Sequence, residues 1–538
     1  MRIRIRIVFV LALTSIGVPE LAHVQDATSP SHFRTSDACI ACHSNLVTND
    51  GRDVSIGYAW RASMMANSAR DPYWHAAVRR EVTDNPSAQA AIEDKCSTCH
   101  MPIARFDQVR QGGHGEVFAN IYVPGDSATS AARDGVSCTV CHQITGGNFG
   151  LETSFTGGFE IDVTVPRENR PVYAGHDVDA GRQRVMQSAS SFLPSASPHL
   201  QLSEMCATCH TLYTHALDDS GREVGELAEQ VPYLEWLHSD YRTTASCQDC
   251  HMPALEEETA ITSVLGQPRP QFSQHVFRGG NFFMLGVLNK HRGELGVLAL
   301  PQELEAAIGR TRSFLSTETA TVEIEDARLA GDRLSFDVVV SSLAGHKLPT
   351  AYPSRRVWLH VRVEDARGNV VFESGRVGMD GAIVGNDNDM DATRFEPHYD
   401  LIERPDEVQI YEPILGDAEG AVTTALLRGV GYLKDNRILP RGFDKRTADP
   451  DVGVFGRAAD DPDFAAGSDR VTYRIPVGSS VAPTTIRVSL NYQGIGFRWA
   501  ENLGQYRSFE TDRFTRYYAE SIADGTLELA GAEAHIAN

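Results

Sequence analysis

Cys-x-x-Cys-His occurs five times in this chain, at Cys39/Cys42/His43, Cys96/Cys99/His100, Cys138/Cys141/His142, Cys206/Cys209/His210 and Cys247/Cys250/His251. The five motifs use all 10 cysteines and end before the midpoint of the 538 residues. Two thiols three residues apart can each form a thioether to a vinyl group of one haem, and the histidine that follows reaches the iron. Redox dithiols and half zinc sites also use Cys-x-x-Cys, but neither needs a histidine after every second cysteine. A disulfide framework predicts irregular spacing and no histidine rule. The expectation is therefore five covalent c-type haems, with the ten cysteines as attachment points and His43, His100, His142, His210 and His251 as proximal ligands.

The position of the cysteines predicts a mixed, two-part chain. A haem-packed, mainly helical and irregular domain over 28–298 precedes a connecting helix over 299–318 and a cysteine-free domain over 319–538. Residues 1–27 read as an export signal, with Arg2, Arg4 and Arg6 before a short apolar run from Ile7 to Val18. That run is too short for a convincing membrane span. An uncleaved anchor is the competing reading, because Ala22 to Ala27 offers no clean small-x-small cleavage site. No later segment is apolar for long enough to cross a bilayer, so the expected location is the periplasm or the cell exterior. A formal charge of -22 argues against nucleic acid or an anionic membrane as partner. Redox proteins with a basic docking patch are the more natural partners.

From Asp26 to Gln271 the chain shows little sustained periodicity and many Gly, Pro, Ser and Asp residues. Such a sequence cannot build an ordinary core, so the haems supply it and the apo-protein is not expected to fold. Asp71 to Val82 reads as a helix with Asp71 as N-cap and Pro72 at the first helical position, and Val231 to Ser239 also reads as helical. Phe159 to Val165 alternates apolar and polar residues and reads as extended. Two motifs continue into Met-Pro, at Met101-Pro102 and Met252-Pro253, where the proline ends the helix behind the ligand.

Five proximal histidines leave five sixth positions on iron, and 14 of the 19 histidines remain to fill them. The candidates are His114, His176, His199, His275 and His346. His199 precedes Cys206 in an ordered Ser-Pro-His-Leu stretch. His275 is followed by Gly279 and Gly280, which permit close approach to a porphyrin face. His346 would tie the second domain onto the haem array. Met65, with Met64 beside it, offers a thioether ligand that raises haem potential. For each of these, ordinary packing or a surface role is the alternative reading.

These residues resemble the cytochrome c-554/c-prime-like group of multihaem cytochromes, itself related to nitrite reductases and hydroxylamine oxidoreductases. The resemblance rests on Asp134-Gly-Val-Ser-Cys-Thr-Val-Cys-His142, on Ser246-Cys-Gln-Asp-Cys-His-Met-Pro253 and on Trp60-x-x-Ser63 with Met65 where relatives often place a distal histidine. It covers the first half and the His275 segment, and it implies haems stacked in parallel and perpendicular pairs. Catalytic members mark their active haem, for example by lysine in place of the proximal histidine. All five motifs here end in histidine, so the resemblance implies an electron carrier.

Pro301 to Leu315 reads as the connecting helix. Beyond it, Thr321–Leu329, Arg333–Val340, Arg356–Val363, Val370–Ser374, Arg470–Val477 and Thr485–Tyr492 alternate, with Asp365 to Asn369 as a hairpin turn, which predicts an antiparallel β-sandwich. Asn386 to Asp391 is a candidate calcium loop that lacks the usual glycine and terminal glutamate. Arg355 and Arg356 are candidates for pairing with haem propionates. The chain thus reads as an exported five-haem electron carrier. The alternatives are an oxidoreductase with one open iron acting on a small nitrogen or sulfur compound, and a homo-oligomer with haems wired across subunits.

Overall fold

The computed structural model describes residues 31–122, 130–477 and 483–536. The export segment expected over 1–27 lies outside them. Short helices carry the motifs: α1 (Asp37–Ile40), then α2 (Pro72–Asp84) between motifs, α3 (Gln89–His100), α4 (Cys138–Cys141), α5 (Ser203–His210), α6 (Pro232–Leu237) between motifs, and α7 (Cys247–His251). Residues i, i+3 and i+4 share one face of a helix, so a single turn presents both thiols and the imidazole together. Where α1 and α4 end short of the histidine, the turn still closes, with His43 N–H on the Cys39 carbonyl and His142 N–H on that of Cys138, both at 3.0 Å.

α2 begins as the sequence predicts. The Asp71 carboxylate accepts from the backbone N–H groups of Tyr73 (2.9 Å) and Trp74 (3.3 Å), and Pro72 stands where a missing N–H costs nothing. α7 starts in a reciprocal cap between Ser246 and Asp249. Phe159–Val165, expected to be extended, makes a single bridge, Ile161 to Ile144, and does not extend it into a ladder. Conversely β1 (Leu212–Leu217) and β2 (Glu223–Gln230) form an antiparallel hairpin that Glu223, Glu226 and Glu229 obscure in the sequence.

After α8 (Phe282–Lys290) and α9 (Pro301–Glu318) the chain turns to sheet. The strands are β3 (Ala320–Ala330), β4 (Arg333–Ser342), β5 (Arg356–Asp365), β6 (Val370–Ser374), β7 (Leu401–Ile402), β8 (Ile410–Tyr411), β9 (Ser468–Pro476), β10 (Pro483–Gln493) and β11 (Thr526–His535). One sheet runs β7-β9-β4-β3 and the other β6-β5-β10-β11, with β8 also paired to β5. All these pairings are antiparallel except β7 with β9. Alternate residues of β4 (Leu334, Phe336, Val338, Val340) and β5 (Val357, Leu359, Val361, Val363) enter one buried cluster. Phe336 stacks on Tyr473 within the first sheet, and Phe372 of the second sheet meets Tyr473 edge-on. The two sheets therefore face each other across one apolar layer.

That layer continues into the first half of the chain. Ala62, Tyr73, Ala76 and Val231 belong to the same cluster. Helix α10 (Phe509–Ser521) lies along α2, with Phe514 against Tyr73 at 5.2 Å and Glu510 accepting from Nε and Nη2 of Arg79, each at 2.9 Å. Among the described residues no helix is long and apolar enough to cross a membrane.

Candidate haem cavity

One continuous cavity runs through the first half of the chain and is closed by residues of the second half, among them His346, Arg355 and Tyr492. All five motif histidines line it, as do nine of the ten cysteines, Cys42 being outside the lining. Thiols of different motifs approach within hydrogen-bonding reach: Cys39 and Cys138, Cys99 and Cys209, and Cys206 and Cys247. Cys141 feels the charge of Cys209. The histidines have the same neighbours, with His142 near His43 and His210 near both His100 and His251. Motif 1 thus adjoins motif 3, motif 3 adjoins motif 4, and motif 4 also adjoins motifs 2 and 5. This spatial order cannot be read from sequence.

Four of the motif histidine rings are oriented by backbone carbonyls. Nδ1 of His43 lies 2.7 Å from the Ile261 oxygen, that of His100 3.2 Å from Ser68, and that of His142 2.5 Å from Tyr173; Nδ1 of His251 faces the Arg278 oxygen. A carbonyl only accepts, so Nδ1 carries the proton and Nε2 keeps its lone pair for a metal. Burial keeps these rings neutral, pushing His100 and His251 down to about 4.

Two of the expected distal histidines face proximal ones. His275 and His142 have ring centroids 6.3 Å apart and planes 12° apart, and His346 and His251 are 6.2 Å apart at the same angle. Two metal–imidazole bonds of about 2 Å, with the half-widths of two rings, span about 6.3 Å. Stacked rings in direct contact would be far closer, as Trp74 and His100 are at 4.2 Å. Nδ1 of His275 is directed to the Ser273 carbonyl (3.0 Å) and that of His346 to the Lys347 carbonyl (2.9 Å), which again leaves Nε2 free.

The other expected donors are placed differently. His176 and Met65 line the cavity. The Met65 carbonyl accepts from Val136 N–H at 2.9 Å, which sets it beside the segment leading into motif 3. His199 is outside the lining: its Nε2 is engaged by the Ile144 carbonyl at 2.8 Å and its Nδ1 by the Ser197 hydroxyl at 2.6 Å. His114 is exposed in its glycine-rich turn and is likewise not brought to the cavity. Among the described residues no second imidazole stands in the 6 Å parallel arrangement with His43, His100 or His210.

Arg355 lines the cavity and is tethered to the Thr350 carbonyl (2.9 Å) and to Asn281 (3.1 Å). Arg356 is instead spent in the second half on Asp389 (2.8 Å), Gln493 and the Gly381 carbonyl, so it is not available to a propionate. The acidic turn at 386–391 is likewise occupied. Asp389 pairs with Arg356, Asp387 with Arg394 and Asp391 with Thr393, which leaves no converging set of free carboxylates for calcium.

Sequence reasoning missed two buried carboxylates on the cavity wall beside motif 2. Glu81 accepts from Leu426 N–H, and Glu229 accepts from the Thr214 hydroxyl at 2.6 Å. Burial pushes Glu229 up to about 7, and the neighbouring Glu81 adds to the shift.

The residues present fit covalently held haem: the thiols of each motif stand in pairs, four motif histidines keep Nε2 clear of a carbonyl partner, and the walls are mostly apolar. No family model matches this sequence, and no curated protein matches it. The structure is similar to the crystal structure of a penta-heme cytochrome c552 from Thermochromatium tepidum, with a TM-score of 0.53 and 14% identity over 94% of this chain and 100% of that one. At that identity the likeness establishes the fold, which this chain shares with a penta-heme cytochrome.

Proposed function

We propose that this chain is an exported five-haem electron carrier in which His142 with His275 would hold one haem and His251 with His346 another. The observation that carries this reading is the pair of parallel imidazoles separated by the span of one ligated metal. Haem bound at the motifs supplies one-electron redox chemistry. The chain's own residues hold each group by two thioethers, fix the metal-facing nitrogen through a carbonyl at Nδ1, and exclude water with apolar walls. Met65 and His176 are the donors proposed for other irons, since both line the same cavity.

Motif 4 is proposed as the junction of the array because its thiols touch those of motifs 2 and 5 and neighbour motif 3. The charge of -22 supports a redox partner with a basic face, whose reaction rate falls as salt is raised. The test is a haem stain on a denaturing gel, followed by electron paramagnetic resonance of the oxidised protein and carbon monoxide addition to the reduced form. Five covalent haems that do not bind carbon monoxide support a carrier. A haem that binds it marks an open iron and supports the oxidoreductase reading.

A further inference from the structure

His346 enters the cavity from the loop that follows β4, and a closed cluster of buried charges holds that loop in place. Glu235 of α6 is fully buried. Its Oε2 accepts from the Lys347 backbone N–H at 3.1 Å and from the Thr350 hydroxyl at 2.5 Å. Its Oε1 lies 2.8 Å from Arg437 Nη1, an ion pair whose angle departs from that of a hydrogen bond. Arg437 continues to Asp435 through Nε (2.8 Å) and Nη2 (2.7 Å). Lys347 Nζ closes the circuit, 2.6 Å from Asp435 and 2.8 Å from the Gly453 carbonyl.

Two carboxylates and two cations thus balance in a site from which water is excluded. Each buried charge is costly unless all its partners are in place, so such a cluster favours one arrangement over near alternatives. The loop leans on the haem half in two further places. Tyr241 donates its hydroxyl to the Leu343 carbonyl at 2.8 Å, and a side chain at Gly345 would meet the Tyr241 ring at 3.3 Å. Glu235 grips the loop twice on the C-terminal side of the histidine, at Lys347 immediately after it and at Thr350 beyond.

We infer that Glu235 is the positioning residue that holds His346 opposite His251, so that the haem half of the chain controls a ligand donated by the other half. This rests on the reading of His346 as an axial ligand. The test uses haem-loaded Glu235→Gln, Thr350→Val and His346→Ala, compared with the parent by electron paramagnetic resonance and by redox titration of each haem. His346→Ala turns one haem in five high-spin. Glu235→Gln turns part of that same haem high-spin and raises its midpoint potential, because a buried negative charge that favours the ferric form is lost. Thr350→Val keeps the Glu235 charge but loses its grip on the loop, and turns a smaller part of the same haem high-spin. If Glu235→Gln yields no haem-loaded protein, Thr350→Val decides. Should His346→Ala change the spectrum while the other two match the parent in spin state and potential, the positioning role is refuted and the ligand reading stands. Should His346→Ala leave the spectrum unchanged, both fall.

Discussion

His251 and His346 come from opposite halves of the chain, yet their rings face each other 6.2 Å apart with planes only 12° out of parallel. Replacing His346 by glycine in protein supplied with free imidazole should restore the low-spin spectrum that glycine alone loses. An optical titration with imidazole measures this directly. A glycine variant that keeps its low-spin spectrum with no imidazole added would contradict the assignment.

His275 faces His142 in the same manner, and motif 3 stands between motifs 1 and 4. His275→Ala should therefore change one low-spin haem to high-spin and also slow electron equilibration between motif 1 and the rest. Stopped-flow reduction with a small donor should show one slow phase that the parent lacks, whereas His199→Ala should leave both the spectrum and the rates unchanged.

Glu229 gives stability a pH dependence of known sign. Its carboxyl titrates at about 7 in the folded chain against an ordinary 4.5, since burial and the neighbouring Glu81 outweigh the Thr214 hydrogen bond and the opposing charge of Lys95. The folded state holds this proton more tightly than the unfolded state does. The stabilisation is complete below pH 4.5 and is lost as pH rises through about 7. Glu229→Gln should be close to neutral at pH 4.5 and should stabilise the protein by roughly 3 kcal/mol at pH 8. Denaturant unfolding of the haem-loaded protein at the two pH values measures the difference.

Losing the haem at motif 4 should do more damage than losing the one at motif 1. Motif 4 adjoins three other motifs, while the thiol of motif 1 meets only that of motif 3 among the contacts described. Cys206→Ala with Cys209→Ala should give protein without a cooperative thermal transition in the first half. Cys39→Ala with Cys42→Ala should keep a transition at lower temperature, with four haems by pyridine haemochrome.

Phe336 tests the sandwich independently of the haems. It is buried between the sheets and stacked on Tyr473 at 5.1 Å. Phe336→Ala should cost about 3–5 kcal/mol in unfolding free energy while leaving every haem spectrum unchanged.

The parts of this fold that are legible in the sequence are those in which a single local rule acts. Thioether chemistry dictates Cys-x-x-Cys-His, Asp71 and Pro72 start a helix, and alternation marks β4 and β5. Register failed where charges interrupt the alternation, as Glu226 and Glu229 do in β2. The distal ligands depend on which carbonyl each ring meets. His199 has its Nε2 taken by Ile144, remote in sequence, while His275 keeps its Nε2 free because Ser273 engages Nδ1. Glu235 did leave a trace, as a lone acid in the apolar run Tyr233-Leu-Glu-Trp-Leu237, and an acid in such a setting is buried only with partners. Those partners, Arg437 and Lys347, lie in the other half of the chain, and only the folded structure identifies them.

A row of carriers has two ends, whereas an array that branches has more. With motif 4 meeting motifs 2, 3 and 5, and motif 3 leading on to motif 1, the array has three tips. Loaded with haem, such an array would have three ends at which a single electron could enter or leave. The rate at which one tip could deliver an electron would then depend on how full another had left the node.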